Sequence, residues 1–214
     1  MFPKLQYISQ GNTAAEQLRN IQEALDAGCS WIQLRFKNTG SDTVVAVAEK
    51  VKVLCDTYKA MFIVNDQPSI AKAVNADGVH LGLQDMPVAE ARKILGSTKI
   101  IGGTANTFEH VMQRYNEGCN YVGAGPFRFT TTKEKLSPIL GAEGYADIIN
   151  KMEQAGIDIP VFAIGGILPA DIAKILHTGI YGIAVSGVIT NHPDKKQIVH
   201  AINSLIYAKA YDSQ

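Results

Sequence analysis

Short apolar runs alternate along the chain with longer stretches in which apolar residues recur every three or four positions. The short runs predict eight strands, at 5–9, 31–36, 61–66, 77–82, 99–105, 121–125, 160–166 and 182–187. Intervening stretches such as AAEQLRNIQEALDAG (14–28) and PADIAKILHTG (169–179) have helical spacing and a Gly near the C-terminal end. The pattern therefore predicts eight strand–helix units.

Strands that are separated by helices must run parallel and be joined by right-handed crossovers. Eight such units in a chain of 214 residues fit a closed barrel better than an open sheet. No composition break or low-complexity linker divides the sequence. We predict the α/β class, with residues 1–214 forming a single (β/α)8 TIM barrel domain.

Composition and charge narrow the functional classes. Twenty Lys and Arg balance twenty Asp and Glu, and 46% of the residues are apolar. This neutral balance argues against a nucleic-acid or membrane-surface protein, so we expect small-molecule ligands. Neither a signal peptide nor a membrane-length apolar run is apparent, and Cys29, Cys55 and Cys119 lack metal-site spacing. We expect a cytoplasmic protein; its oligomeric state is not decided, and a homo-oligomer is allowed.

Polar side chains gather where the predicted strands end. The C-terminal ends of the strands of a (β/α)8 barrel open onto one mouth, where the chemistry takes place. The residues that follow this pattern are Gln33, Arg35 and Lys37 on the second strand, Asn65 and Asp66 on the third, Asp85 after the fourth and Thr104 on the fifth. The sixth strand leads into TTTK (130–133), and the last two end in Gly165-Gly166 and Ser186-Gly187. We expect all of them at one site.

Two kinds of ligand group are indicated at this mouth. Asp66 and Asp85 beside an Arg and two Lys suggest a Mg²⁺ held by few protein ligands and by phosphate oxygens; simple ion pairing is the alternative. The glycines after strands seven and eight are typical of a barrel's phosphate site, although they also suit tight turns. A metal-bound pyrophosphate on one side and a phosphate monoester on the other would account for both groups.

No signature of nucleophilic catalysis is present. Ser186 has no evident His partner, and His80 alternates with Val79 and Leu81 inside a strand. We interpret His80 as a hydrogen-bonded barrel residue. Without a well-placed base, a reaction driven by departure of a leaving group is more plausible than one driven by proton abstraction.

Seven segments at these strand ends resemble, in order, the motifs of the thiamine phosphate synthase family. They are QLRFKN (33–38), VND (64–66), ADGVHLGLQDMP (76–87), GGTAN (102–106), GPFRFTTTK (125–133), AIGGI (163–167) and VSG (185–187). The resemblance implies an enzyme that joins a hydroxymethylpyrimidine diphosphate to a thiazole phosphate. Thiamine phosphate and pyrophosphate would be the products, and Mg²⁺ would be required.

The same resemblance implies a role for each matching residue. The pyrimidine diphosphate would be bound by Gln33, Leu34, Arg35, Phe36, Lys37, Asn65, Thr104 and Lys133, of which Arg35, Lys37 and Lys133 would be catalytic. The thiazole phosphate would be bound by Thr130, Thr131, Thr132, Gly166, Val185 and Ser186. Asp66 and Asp85 would hold Mg²⁺. The chain departs from the family pattern at Gln67, where Arg is frequent, and at Leu83, where Gln is frequent.

Three other functions share part of this pattern. A thiazole tautomerase of the same superfamily would keep the fold and the thiazole phosphate site without the full diphosphate machinery. A non-catalytic ligand-binding barrel would not need the charged set at all. A phosphosugar isomerase would need a placed acid–base pair and would leave TTTK unexplained. The joint presence of Arg35, Lys37, Asp66, Asp85 and Lys133 favours the synthase.

Overall fold

The computed structural model describes residues 1–129 and 138–208. Its eight strands coincide with the predicted runs to within a residue or two at each end. They are β1 (Leu5–Ile8), β2 (Trp31–Leu34), β3 (Met61–Asn65), β4 (Gly78–Leu81), β5 (Ile100–Ala105), β6 (Tyr121–Ala124), β7 (Val161–Ile164) and β8 (Gly182–Val185).

Helices follow the strands in turn. They are α1 (Ala14–Asp26), α2 (Ser41–Tyr58), α3 (Pro68–Ala73), α4 (Val88–Leu95), α5 (Phe108–Asn116), α6 (Gly141–Ala155), α7 (Pro169–Leu176), α8 (Gly187–Thr190) and α9 (Lys195–Tyr207). The short α8 was not anticipated from the sequence. Across the described residues, no helix has both the length and the apolar character that a membrane crossing needs.

The strands form a closed parallel barrel in sequence order. Each strand pairs with its neighbour, and β8 returns to pair with β1 through Leu5 and Ile183. The (β/α)8 prediction is therefore confirmed. Because all strands point the same way, their C-terminal ends meet at one mouth, as the sequence analysis required.

Local sequence explains where several helices begin. Thr13 caps α1 and forms a reciprocal capping box with Glu16, whose carboxylate accepts the Thr13 N–H at 3.2 Å. Thr107 caps α5 and Asp194 caps α9, where each side chain accepts one backbone N–H, that of His110 and that of Gln197. These side chains satisfy N–H groups that an isolated helix leaves unpaired. Each helix start is thereby placed a fixed distance after its strand.

Aromatic side chains fill the opposite, N-terminal end of the barrel. Trp31, Tyr121 and Phe162 are fully buried there with Ile63, and Phe2 packs against them. The Trp31 ring meets those of Tyr121 and Phe162 edge-on, at centroid distances of 5.0 and 4.9 Å. Edge-to-face packing of this kind is favourable beyond the area it buries. Packed aromatic rings thus close the N-terminal end of the barrel.

This plug depends on small neighbours. Gly102 lies on β5, and a Cβ there would be 2.1 Å from Cζ of Tyr121. Since two non-bonded carbons need more than 3 Å, the Tyr121 ring occupies the space that any side chain at 102 would take. Glycine at this strand position therefore reflects packing rather than a turn.

We predict that Gly102→Ala lowers the free energy of unfolding by about 1–3 kcal/mol, because the added methyl group displaces the Tyr121 ring. Urea unfolding would measure the loss. Gly40→Ala is the matched control, because a Cβ at 40 has nothing within 4 Å and the residue has a φ of −68°. A Gly102→Ala loss no larger than the control's would contradict this account of the plug.

Candidate active site

The residues predicted from the strand ends do surround the barrel mouth. The end of β2 brings Gln33, Arg35 and Lys37, the end of β3 brings Asn65 and Asp66, the β4–α4 turn brings Asp85, and β5 brings Thr104. Gly166 follows β7, and Val185 and Ser186 end β8. Thr130, Thr131, Thr132 and Lys133 lie outside the described residues.

Lys37, Asp66 and Asp85 form a charged cluster on one side of the mouth. Nζ of Lys37 lies 2.8 Å from Oδ2 of Asp66, and the Lys37 side chain is 48% exposed whereas that of Asp66 is 22% exposed. Oδ2 of Asp85 accepts the Gly82 N–H at 2.6 Å, which fixes that carboxylate beside the end of β4. One cation and two anions therefore share a partly buried space.

The backbone of Asp66 is held in an unusual conformation. Its φ is 61°, in the left-handed region that residues other than glycine seldom adopt. The Asp66 N–H donates to the His80 carbonyl at 2.8 Å, so β3 and β4 hold this conformation between them. Strained residues of this kind cluster at functional sites, because the surrounding fold has to maintain them.

The Asp85 carboxyl group disfavours the negative charge of Asp66. Burial, and then the adjacent Asp85 carboxyl, raise the pKa of Asp66 above its ordinary value, while the Lys37 ammonium opposes the change. A divalent cation between the carboxylates would relieve this repulsion. Within 1–129 and 138–208, no three His, Cys, Asp or Glu side chains form a metal-binding group. A cation here would therefore draw its other ligands from water or from a bound phosphate, as Mg²⁺ commonly does.

A cavity of about 250 Å³ opens beside this cluster, and Lys37, Asn65, Asp66 and Gln67 are among its lining residues. Leu34 and Phe36 line it as well, although both are more than nine-tenths buried in the hydrophobic core. The apolar part of this cavity wall is thus continuous with the core.

Gln33 is a buried amide at the base of the mouth. It is 2% exposed, and its Nε2 donates to Oδ1 of Asn65 at 2.7 Å. Its Oε1 is buried and accepts no hydrogen bond from the described residues. A buried acceptor without a donor costs free energy of about 1–3 kcal/mol. A ligand that donates an N–H at this depth would remove that cost.

A second cavity, of about 310 Å³, lies at the ends of β1, β7 and β8. Gly165, Gly166, Val185 and Ser186 line it, together with Arg35. Both glycines have positive φ, 97° and 70°, which lets the loop after β7 fold tightly around the space. α8 starts at Gly187, and the first N–H groups of a helix lack intrahelical partners. These features suit an anion.

Arg35 connects the two halves of the mouth. It lines the glycine-rich cavity, yet its guanidinium also interacts with Asp66 on the other side. Burial lowers the pKa of Arg35, and the Asp66 charge opposes that effect. An arginine between two anion-binding spaces can contact a ligand group in either one.

The sequence analysis missed the contribution of β1. Ser9, which is 1% exposed, accepts the Arg35 N–H at 2.9 Å through its hydroxyl, and Gln10 lines the glycine-rich cavity. Gln17 of α1 donates its amide N–H to the Arg35 carbonyl at 3.2 Å. The polar run Ser9-Gln10-Gly11-Asn12 after the first strand carried the same signal as the other strand ends.

Arg128 was also missed. It follows β6, and its Nη2 lies 2.6 Å from Oδ1 of Asp171, whose other oxygen accepts the Leu168 N–H at the start of α7. A Cβ on Gly166 would be 2.5 Å from Cγ of Arg128. The arginine stem therefore lies directly on the loop after β7. This contact joins the loops that follow β6 and β7.

His80 is hydrogen-bonded inside the barrel, as predicted. Its Nδ1 lies 3.0 Å from the Tyr121 hydroxyl, and its Nε2 lies 3.0 Å from Oγ1 of Thr104. Thr104 is half-buried at the edge of the mouth, whereas His80 is 7% exposed beneath it. The His80 imidazole thus holds the Thr104 side chain at the mouth through a hydrogen bond.

A (β/α)8 barrel with a carboxylate pair and a glycine-lined anion space at one mouth belongs to the class of enzymes that act on phosphorylated small molecules. Comparisons with known proteins make this class specific. The family model described as thiamine monophosphate synthase matches residues 5–189. The chain belongs to the thiamine monophosphate synthase family.

Individual relatives agree with this assignment. The chain is 57% identical to the thiamine-phosphate synthase of Flavobacterium johnsoniae over 97% of its own length and 98% of that protein. It is 60% identical to that of Flavobacterium psychrophilum over 95% and 98%. The solved thiamine phosphate pyrophosphorylase of Pyrococcus furiosus superposes with a TM-score of 0.84 at 31% identity, with 96% of each chain covered. The resemblance drawn from the strand-end motifs is confirmed.

We predict that Asp85→Asn lowers the pKa of Asp66 in metal-free protein, because the neighbouring carboxyl raises it. The asparagine keeps an acceptor for the Gly82 N–H, so the turn should stay in place. Titration of the Asp66 carboxyl carbon by NMR would measure the change. Lys37→Met should shift the pKa in the opposite direction, because the Lys37 ammonium lowers it. An Asp66 pKa that is the same in all three proteins would show that the cluster is not coupled.

Proposed function

We propose that the protein is a transferase that condenses 4-amino-2-methyl-5-(diphosphooxymethyl)pyrimidine with a thiazole phosphate. The products are thiamine phosphate and pyrophosphate. One observation carries the proposal beyond family membership: the Lys37–Asp66–Asp85 cluster and the glycine-lined cavity open at the same mouth, and Arg35 lines the cavity while its charge interacts with Asp66. A diphosphate and a phosphate monoester need two such spaces next to each other.

The pyrimidine diphosphate is assigned to the side of the charged cluster. The buried Gln33 Oε1 suits the 4-amino group, which would supply the missing N–H donor. Asn65 accepts from Gln33 through Oδ1, so its amide nitrogen is left to donate toward the ligand. Leu34 and Phe36 supply the apolar wall, and Thr104, Arg35 and Lys37 bind the diphosphate. Lys133, outside the described residues, is assigned to the same group.

Asp66 and Asp85 are assigned as the Mg²⁺ ligands. Their mutual repulsion, and the small number of protein ligands near them, suit a cation that also takes phosphate oxygens. Bound Mg²⁺ would supply Lewis-acid stabilisation of the negative charge on the departing pyrophosphate. Lys37, paired with Asp66 in this structure, is near enough to contribute positive charge to the same group.

The thiazole phosphate is assigned to the glycine-rich cavity. Gly166, Val185 and Ser186 line it, and the first N–H groups of α8, which begins at Gly187, would donate to the phosphate. Thr130, Thr131 and Thr132 are assigned to the same phosphate from the sequence pattern. Ser186 donates its hydroxyl to the Ile8 carbonyl at 2.6 Å, so its backbone and its oxygen lone pairs are what it offers a ligand.

The reaction then needs no protein nucleophile. The bond between the pyrimidine methylene carbon and the diphosphate oxygen breaks, and its electron pair leaves with pyrophosphate. The aminopyrimidine stabilises the resulting methylene cation. The thiazole nitrogen then donates its lone pair to form the new C–N bond. The protein contributes position and electrostatic stabilisation of the leaving group, through Arg35, Lys37 and Lys133.

The charged cluster also separates this function from the alternatives. A thiazole tautomerase or a non-catalytic barrel has no use for two adjacent carboxyl groups beside Lys37, with the pKa of Asp66 raised. A cytoplasmic location remains our prediction; it is supported by three buried, unpaired cysteines, which suit a reducing compartment.

We expect the purified protein to form thiamine phosphate and pyrophosphate from the two substrates only when Mg²⁺ is present. A chelator should abolish turnover, and added Mg²⁺ should restore it. Asp85→Asn should reduce kcat roughly a hundredfold or more, because a metal ligand is lost. Asp77→Asn is the matched control, since Asp77 likewise accepts a backbone N–H, that of Phe62 at 2.7 Å, but lies at the N-terminal end of β4, away from the mouth.

The outcomes of that experiment are separable. Full activity in chelator would remove the metal assignment and leave the reaction in place. An absence of thiamine phosphate under every condition would remove the synthase function. Isomerisation of the thiazole in that case would identify the tautomerase.

We predict that Gly166→Ala raises the KM for the thiazole phosphate roughly tenfold, equivalent to about 1.4 kcal/mol of binding free energy. The added methyl group would meet the Arg128 stem at 2.5 Å and move the loop. Gly118→Ala is the matched control, because Gly118 also has positive φ but has open space around a Cβ. Steady-state kinetics with each substrate varied would locate the effect, and an equal rise in both KM values would contradict it.

A further inference from the structure

Four polar side chains form a continuous hydrogen-bonded chain through the barrel interior. Gln6 of β1 donates from Nε2 to the Tyr121 hydroxyl at 3.3 Å. Tyr121 contacts Nδ1 of His80 at 3.0 Å, and Nε2 of His80 contacts Oγ1 of Thr104 at 3.0 Å. The chain begins against the aromatic plug and ends at the mouth. Gln6, Tyr121 and His80 are buried, and Thr104 is partly exposed.

The barrel is built to contain this chain. Gly102 on β5 leaves the space for the Tyr121 ring, as described above. Gly123 on β6 leaves space for the imidazole, since a Cβ there would be 3.2 Å from Cε1 of His80. Two strands thus lack side chains where Tyr121 and His80 cross the interior. The two rings fill this space, so the close packing of the barrel interior includes the polar chain.

The hydrogen bonds of the chain set the direction in which its protons point. Burial raises the pKa of Tyr121 well above its ordinary value, so the phenol keeps its proton. With Gln6 donating to the phenol oxygen, Nδ1 of His80 lies 3.0 Å away as an acceptor within reach of the Tyr121 proton. A neutral imidazole that accepts at Nδ1 carries its own proton on Nε2. That proton is directed to Oγ1 of Thr104.

The direction of the Thr104 hydroxyl proton affects how a diphosphate binds. Since Thr104 accepts from His80, its own hydroxyl proton is turned away from the imidazole and toward the mouth. A diphosphate oxygen is an acceptor only, so it binds a hydroxyl that donates and is repelled by one that presents lone pairs. The opposite tautomer of His80 would take the Thr104 proton inward. The tautomer therefore decides whether Thr104 attracts or repels the leaving group.

We propose that His80 is a positioning residue, held by Tyr121 in the Nε2–H tautomer so that Thr104 donates its hydroxyl hydrogen bond to the diphosphate. This proposal rests on the proposed function, because it assumes that a diphosphate binds beside Thr104. His80 itself does not touch the substrate. Tyr121 and Gln6 act one and two steps further from it.

A double-mutant cycle tests the proposal. Tyr121→Phe keeps the ring but removes the proton that Nδ1 accepts, so the Thr104 hydroxyl is no longer held outward. We expect about a tenfold loss in kcat and in affinity for the pyrimidine diphosphate, with the KM for the thiazole phosphate unchanged. In a Thr104→Val background the same substitution should cost nothing further, because no hydroxyl remains to orient.

Tyr145→Phe is the matched control for a lost buried hydroxyl. Tyr145 is fully buried and donates to the Ala124 carbonyl at 2.9 Å, outside the chain of four. Its effect should add to that of Thr104→Val. If Tyr121→Phe also adds fully to Thr104→Val, the role of Tyr121 is structural and the proposal fails. Calorimetry with the pyrimidine diphosphate alone serves as the readout where turnover is too low.

The tautomer can be observed directly. Imidazole ¹H–¹⁵N correlations of wild-type protein should place the His80 proton on Nε2, with the signal assigned by its loss in His80→Gln. A proton on Nδ1 would overturn the proposal. Wild-type protein that forms no thiamine phosphate would instead remove the proposed function, while the tautomer and the mutant stabilities would still be measurable. The two failures are therefore distinguishable.

Discussion

Closure of the barrel is the constraint on which the rest of the structure depends. The pairing of β8 with β1 forces all eight strand ends onto one ring, so residues far apart in sequence become neighbours at the mouth. Closure also leaves a narrow interior, which the side chains that point inward must fill. The N-terminal half is filled by aromatic rings, and the upper half by the polar chain that ends at Thr104. The residues at the mouth therefore lie above a closely packed interior.

Residues at the mouth have features that lower the stability of the fold. Asp66 combines a left-handed backbone with a neighbouring carboxyl group, and Gln33 keeps a buried acceptor without a donor. None of these features stabilises the empty fold. Each would be relieved by a ligand of the matching chemistry: a cation for the carboxylates and an N–H donor for the amide. The fold thus gives up stability at the places where binding can recover it.

Much of the fold and of the mouth could be predicted from the sequence, because the order of the strands along the chain is also their order around the barrel. The short apolar runs between stretches of helical spacing located every strand, and the strand-end rule gathered Lys37, Asp66 and Asp85 without any coordinates. The rule would have included Ser9 and Gln10 had it been applied to the first strand. It could not show that Arg35 lines the glycine-rich cavity while its charge interacts with Asp66, because the direction of a long side chain depends on the packing around it. The Arg128–Asp171 pair was equally hidden, since it joins two loops whose relative position no local pattern determines.

The division of the interior into an apolar lower half and a polar upper half also explains why a buried histidine is tolerated so near the site. A buried imidazole needs partners for both nitrogens, and β5 and β6 supply them in Thr104 and Tyr121. Gly102 and Gly123 leave room for the Tyr121 and His80 rings. The polar chain can therefore form only because these two positions of the barrel wall carry no side chain. Replacing any residue of the polar chain by an apolar residue of equal size would remove a hydrogen bond from the fold. The Thr104 hydroxyl proton would then no longer be held toward the mouth. The same residues thus determine how the core packs and how the hydroxyl proton at the mouth is directed.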